Sequence, residues 1–375
     1  MPDPSFSNPK PVVHLVYTVP LGKTLLKRAI IRGLRLTHVT PLHRYANEAL
    51  IDWQHPIRAP HSITYNLIRA IRARGYTVRL YSLYEQGVIR RKPGDVLIAA
   101  PLPTGILGVT RERKDDRASI TSRTIREYPG KQNYIIMPYA HDEQYSVFAK
   151  DLIQENNRAG GGSIFIGGKI WEKDWESKSP FADLGALRKV HVTSMGVNAA
   201  EYPFVKSRFN PKGKRRYLYI GHTAWYKNTA ELERIAERMP EYEFAHIGGG
   251  EVKGWKKLAN FAPLTPEFVA RLAEEFDIFV NVSTADPQAT TIVEQMCFGF
   301  AVACTPETGY DYPTLTELRT NDTEYNVRTL LHLQHADEDE LLTCSRVNRQ
   351  TAEERHGWGQ FTDRILDFTE IRQTR

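Results

Sequence analysis

The chain has 375 residues, 41% of them apolar and 25% charged. That length suits two domains at roughly 100–200 residues each, and the ordinary composition excludes a disordered tail, a collagen-like fibre and a membrane bundle. The net charge of +6 is uneven: residues 1–130 carry 21 Lys and Arg against 9 Asp and Glu, and the remaining residues are net negative. A cationic first third attracts anions such as phosphorylated acceptors, acidic lipid headgroups or nucleic acid, with plain solubility as the alternative.

No apolar run reaches the ~20 residues that span a bilayer. The opening residues do not read as a signal peptide, because prolines precede the apolar run and no small-residue cleavage site follows it. Three cysteines, Cys297, Cys304 and Cys344, are too few and odd in number for a disulfide framework. They point to a reducing compartment. The expected location is the cytoplasm, with peripheral contact to an anionic membrane surface left open. The C-x-x-C spacing of a structural zinc site is absent.

The first strand is VVHLVYTV at 12–19, a continuous β-branched run that reads as a buried parallel strand. Residues 21–34 are helical and basic. Six Lys and Arg and no acid occupy 21–44. That stretch suits a helix packed on the sheet with a basic outer face, or an interfacial helix on anionic lipid. A helix over 62–75 follows, with Ser62 as N-cap and Gly75 as stop. Strands then read at 76–83, 94–101, 133–140, 163–168 and 190–196. Their alternation with helices predicts a mostly parallel α/β domain. The basic stretch RFNPKGKRR, 208–216, reads as a linker.

The pattern then restarts. Strands at 217–221, 242–250, 277–283 and 301–306 alternate with helices at 229–239, 266–276 and 290–298. A last helix runs from about Trp358 to Ile371. The expected division is 1–205 and 206–357, with the final helix free to pack back on the first domain. In doubly wound sheets ligands sit at the carboxyl ends of strands, so function belongs in a cleft between the two domains.

The densest chemistry lies in FVNVSTADPQATTIVEQMCFGFAVACTPETG, residues 279–309. A buried strand ends at Ser283, and a polar loop carries Asp286. A helix begins near Thr290, where free N–H groups can hold an anion. Glu294 lies one turn in and can accept two hydrogen bonds from a vicinal diol. This stretch resembles the nucleotide-sugar domain of family-4-type retaining glycosyltransferases of the GT-B fold. That family has two acidic residues separated by seven others, then a small-residue helix, a glycine and a buried strand. Asp286 falls on the first acidic position, where Glu is usual, and Glu294 on the second.

The resemblance implies a role for each of these residues. Glu294 binds the donor ribose and Asp286 touches the donor sugar. The backbone of Ala289, Thr290 and Thr291 contacts sugar and diphosphate. In YIGHTAWYKN, 219–228, Lys227 stands at the family's diphosphate lysine, and His222 follows Gly221 where Arg is usual. A neutral His cannot make an Arg fork. GGG at 248–250, with Gly249 central, lets a backbone approach a ligand, and tight-turn chemistry explains it as well. NFAPL, 260–264, resembles the loop that cradles the nucleobase. His141, after the strand NYIIMPYA, falls where the family often has a histidine near the transferred sugar, and Asp142 can orient it. The implied fold is two Rossmann-like domains facing across a cleft. The implied reaction is retaining sugar transfer from a nucleoside-diphosphate sugar to a glycan, lipid-linked or other hydroxyl acceptor.

Other readings stay open. LGKT at 21–24 resembles the end of a P-loop, but position 17 is Tyr where a glycine is required. Gly22 and Lys23 can still contact a phosphate or the acceptor. A nucleic-acid binder fits the basic first third, yet no RNA- or DNA-binding motif is present. A relative that keeps the fold and loses turnover is another alternative, as is an epimerase or phosphorylase of the same architecture. The run DED at 337–339 opens an acidic helix rather than a metal motif. No cofactor and no essential metal is expected.

Overall fold

The run VVHLVY forms β1 (Val12–Tyr17), and five of its six residues are buried. A strand buried on both faces must sit inside a sheet covered on both sides. β1 pairs in parallel with β2 (Thr77–Ser82) and β3 (Val96–Ala99). His14 is tolerated at the centre of β1 because Asp95 and Tyr81 meet its two ring nitrogens, each at 3.2 Å. Burial holds its pKa below the ordinary histidine value.

This computed structural model describes residues 11–18, 59–83, 85, 87–101, 119–138, 143–177, 181–260 and 265–372. Its first sheet continues with β4 (Asn133–Met137), β5 (Gly162–Ile166) and β6 (Lys189–Val192), in the order β2-β1-β3-β4-β5-β6. Its second sheet contains β7 (Tyr217–Ile220), β8 (Phe244–Ile247), β9 (Lys256–Ala259), β10 (Ile278–Asn281), β11 (Ala301–Cys304) and β12 (Thr316–Glu317), in the order β12-β11-β10-β7-β8-β9. Every pairing in both is parallel. Strand order reverses between β1 and β3 in the first sheet and between β7 and β10 in the second. Connections leave in opposite directions there and open a crevice at the strand ends.

The helices are α1 (Ala59–Ala73), α2 (Ile120–Glu127), α3 (Glu143–Arg158), α4 (Lys169–Ser177), α5 (Thr229–Arg238), α6 (Pro266–Glu275), α7 (Thr290–Phe298), α8 (Thr323–His335), α9 (Glu338–Arg355) and α10 (Trp358–Phe368). One expectation is corrected. α1 begins at Ala59, so Ser62 lies in its first turn and is not its cap. A proline at position 60 does not stop it, because first-turn N–H groups have no intrahelical acceptor. The stop is as expected, with Gly75 left-handed at φ 82°.

The expected linker at 208–216 contains no helix or strand, and Arg208, Lys212 and Lys214 in it are exposed. Arg215 is 1% exposed, and its guanidinium donates to the carbonyls of Leu333 and Ala336 at the end of α8. Its cationic charge faces the negative end of that helix. Gln334 grips the Arg215 backbone from both sides, at 3.0 and 2.6 Å.

The chain passes between the sheets twice at one place. The Val197 amide donates to the His356 carbonyl at 2.5 Å, and Val197 bridges Gly357. The His356 ring lies between the Met195 carbonyl and Tyr312, at 3.2 and 2.8 Å. A carbonyl only accepts, so Nδ1 carries the proton and Nε2 accepts from the tyrosine. Burial pushes the pKa of His356 down to about 4. Beyond this crossing α10 packs on the first sheet, with Phe361, Ile365 and Leu366 in its core. Arg74, in the turn just after α1, fastens α10 through Asp363 and Asp367. Among the described residues no helix is long and apolar enough to cross a membrane.

Candidate functional site

The crevice at the second sheet's reversal is built by two loops. The first leaves β7 through Gly221 and His222 and closes in a short 3-10 turn, Trp225–Lys227. The second leaves β10, carries Asp286, and enters α7. Asn281 starts the second loop by accepting both the amide and the hydroxyl of Ser283, at 3.1 and 2.6 Å. The Thr284 amide then donates to the Tyr226 carbonyl at 2.8 Å, joining the loops.

The join brings Lys227 Nζ directly against Asp286 Oδ2. The two side chains keep 11% and 12% exposure. The ammonium also lies 5.5 Å from the ring centroid of Tyr226, a cation–π distance. Burial, and then the charge of Asp286, push the Tyr226 phenol up to about 12.

His222 is exposed. Its Nδ1 accepts the Ala224 amide at 3.2 Å, and its Nε2 lies 3.2 Å from the Tyr226 hydroxyl. An Nδ1 that accepts an N–H holds no proton, so in this arrangement the ring is neutral with the proton on Nε2. Tyr219 fixes the loop by donating its hydroxyl to the His222 carbonyl at 2.9 Å.

The start of α7 is open to an anion. Its N-cap is Ala289, and no side chain caps its first N–H groups. Thr290 and Thr291 are half-buried, and Thr291 Oγ1 is buried without a hydrogen-bond partner among the described residues. One turn in, the half-buried Glu294 receives a hydrogen bond from the Tyr202 hydroxyl at 3.4 Å. Burial pushes the Glu294 carboxyl up to about 7, and the Tyr202 bond pulls the other way.

The glycines at the end of β8 differ sharply. A Cβ on Gly248, whose φ is 145°, would lie 1.7 Å from the Gly221 carbonyl oxygen. A Cβ on Gly249 would meet nothing within 4 Å. Gly248 therefore packs the turn, and Gly249 borders open space.

The first domain reaches this site through α4. The Trp171 indole N–H spans the carbonyls of Asp286 and Glu307, at 3.3 and 3.2 Å. The Gly168 amide donates to Pro287 at 2.7 Å. Gly168 has no room for a side chain, because a Cβ would lie 1.9 Å from the Gly309 carbonyl. Gln288 accepts the Met195 amide at 2.6 Å and donates to Thr193.

The structure thus brings together Gly221, His222, Lys227, Asp286, Ala289, Thr290, Thr291 and Glu294, with Gly249 at the end of the neighbouring strand. His141, Gly22, Lys23 and residues 261–264 of the nucleobase loop lie outside the described residues. Sequence reasoning missed Tyr202, Tyr226, Trp171 and Tyr310. The Tyr310 hydroxyl is buried without a hydrogen-bond partner among the described residues, and burial, Tyr312 and the Asp286 charge hold its pKa well above the ordinary phenol value. Only Tyr226 had a local signal, its position beside Lys227. As a whole the crevice offers a lysine and the start of a helix that its N-cap side chain leaves uncapped for an anion, flanked by two carboxyls for hydroxyl groups.

No family model matches the chain, and no curated protein matches it in sequence. Its fold is similar to that of sucrose-phosphate synthase from Thermosynechococcus elongatus, with a TM-score of 0.60 at 13% identity over 96% of this chain and 98% of that one. It is similar to WaaG, a glycosyltransferase involved in lipopolysaccharide biosynthesis, with a TM-score of 0.56 at 11% identity over 96% and 99% of the two chains. An α-glucosyltransferase in complex with UDP-glucose and DNA containing an abasic site aligns with a TM-score of 0.52 at 8% identity over 96% and 99%. The fold is GT-B, two doubly wound domains of parallel sheet.

Proposed function

We propose that the chain is a retaining glycosyltransferase that uses a nucleoside-diphosphate sugar. One observation carries this reading. Lys227, Asp286, the uncapped start of α7 and Glu294 converge where strand order reverses in the second sheet. Their chemistry matches a donor piece by piece. Lys227 and the α7 N–H groups neutralise the diphosphate. Glu294, as a carboxylate, accepts the ribose diol. Asp286 accepts hydroxyls of the donor sugar. Gly249 lets the β8 turn approach the donor closely.

In the transfer step the acceptor oxygen attacks the anomeric carbon on the face that the diphosphate leaves. The bond from that carbon to the phosphate oxygen breaks, and the acceptor proton passes to the departing phosphate. The protein's part is positioning and charge stabilisation, with Lys227 as the cation and no metal required. The sequence assigns His141 to the reaction zone and Gly22 and Lys23 to a phosphate or acceptor contact. The acceptor belongs to the first domain, and the net charge of residues 1–130 favours an anionic one. The protein acts in the cytoplasm, at an anionic membrane surface if its acceptor is lipid-linked.

One observation favours a second reading, a binding protein without turnover. Asp286 occupies Lys227, and His222 is a neutral ring where the family has a cation. Product analysis separates the two. Incubation with donor sugars and candidate glycan acceptors should release nucleoside diphosphate and give a product whose anomeric configuration, read by proton NMR, equals the donor's. An inverted product contradicts the retaining reading, and tight donor binding without release under any acceptor supports the second.

A further inference from the structure

Helix α4 presents Glu172 and Glu176 four residues apart, which places them on one helix face. Strand β6 presents His191 to the same point. One ligand atom from each of the three lies within 4.8 Å of the other two. The His191 side chain is only 9% exposed, and its Nδ1 has no hydrogen-bond partner among the described residues. Nε2 stands 3.5 Å from Glu176 Oε1. The ring packs in a cluster with Trp175 and Phe165, with centroids at 5.5 and 5.4 Å. A buried imidazole with one nitrogen unpaired and the other held only by a long contact is costly unless something takes up a lone pair. A cavity of about 170 Å³ opens against His191, Glu176 and Lys189. No residue of the proposed donor site lines it.

We propose that Glu172, Glu176 and His191 form a binding site for a divalent first-row transition ion, with Zn²⁺ the best fit. One imidazole and two carboxylates make a nitrogen and oxygen donor set that Zn²⁺ accepts, with water completing a tetrahedron. The two carboxylates match its charge. Lys189 is the competing cation, with Nζ 2.9 Å from Glu176 Oε1. Its side chain is 30% exposed, so it has a path to solvent when the ion enters. The ion ties α4 to β6 and thereby steadies the helix that carries Trp171. This site is independent of the proposed transfer chemistry and is not a reaction centre.

The test uses the full chain, stripped with a chelator and dialysed, then titrated with Zn²⁺ alone by calorimetry. One ion per chain and a raised melting temperature are expected. Glu172→Gln and Glu176→Gln should each weaken binding by more than about 10-fold. Both carboxyls reach solvent, so both variants should melt with the stripped wild type. Loading with Co²⁺ should give the visible absorption of a tetrahedral site, lost in Glu176→Gln and in His191→Gln. Absence of stoichiometric binding overturns the proposal. So does binding that survives in both glutamine variants, which places the ion elsewhere.

Discussion

Lys227 and Asp286 stand 59 residues apart in the chain and meet as an ion pair that water barely reaches. A desolvated ammonium needs a negative partner, and a desolvated carboxylate a positive one. A donor diphosphate and Asp286 therefore compete for the same cation. When the diphosphate takes Lys227, Asp286 is left facing the hydroxyls of the sugar.

Replacing Lys227 by Met leaves the Asp286 carboxylate without its partner. A loss of about 3 kcal/mol is expected, at the low end for a broken buried pair. Lys227→Met/Asp286→Asn should regain most of that stability without regaining donor binding. Urea unfolding and calorimetry on the three proteins check this, and donor affinity restored in the double variant would remove Lys227 from the diphosphate site.

Glu294 makes stability depend on pH. Its carboxyl titrates at about 7 in the folded chain against the ordinary 4.5. Between those values the folded state binds more protons than the unfolded state, so this contribution falls as pH rises. It is fully present below 4.5 and lost through 7. Glu294→Gln has no such titration, and its melting temperature should change less with pH across that window. Donor affinity should rise with pH through the same window in the wild type, since only the carboxylate accepts both ribose hydroxyls. Parallel pH profiles for the two proteins contradict the assignment.

The two adjacent glycines after β8 separate packing from binding. Gly248→Ala forces a Cβ against the Gly221 carbonyl in a left-handed backbone and should destabilise the protein markedly. Gly249→Ala meets nothing, so stability should stay within about 0.5 kcal/mol. Donor KM should rise in this variant. An unchanged KM means that no ligand approaches the backbone there.

His222→Arg exchanges one neutral N–H for a charged fork. Charge-assisted hydrogen bonds are the stronger kind, so affinity for a nucleoside diphosphate should tighten about 10-fold. The gain should shrink as salt is added. Equal affinities at low salt contradict a His222 that faces the diphosphate.

What the sequence revealed was mostly local. The run over β1 is legible because both faces are buried, and the Asp286–Glu294 spacing is legible because one loop and one helical turn hold both. The pairing of Lys227 with Asp286 is not local, nor is the reach of Tyr202 to Glu294 or of Trp171 to the Asp286 carbonyl. These arise only when separate elements pack. DED opens a helix as expected, and the structure adds its cap, Asp337 on the Asp339 amide at 3.0 Å. Its length was hidden, because its buried face is Leu341, Ser345, Asn348 and Ala352, a stripe too polar to show an apolar period. The burial of Arg215 within a basic linker is not local either, because the end of α8 supplies the carbonyls that satisfy its guanidinium. Glu172, Glu176 and His191 gave no motif, since a helix and the following strand supply them separately.

The central claim is that the crevice of Lys227, Asp286 and Glu294 holds a nucleotide-sugar. The most direct measurement is thermal shift with UDP-, GDP-, ADP- and CDP-sugars without added metal, on wild type and on Glu294→Gln. The account predicts that one donor raises the wild-type melting temperature and that the same donor leaves Glu294→Gln unmoved. A wild type unmoved by every nucleotide-sugar, or a Glu294→Gln variant stabilised as strongly as wild type, would contradict it.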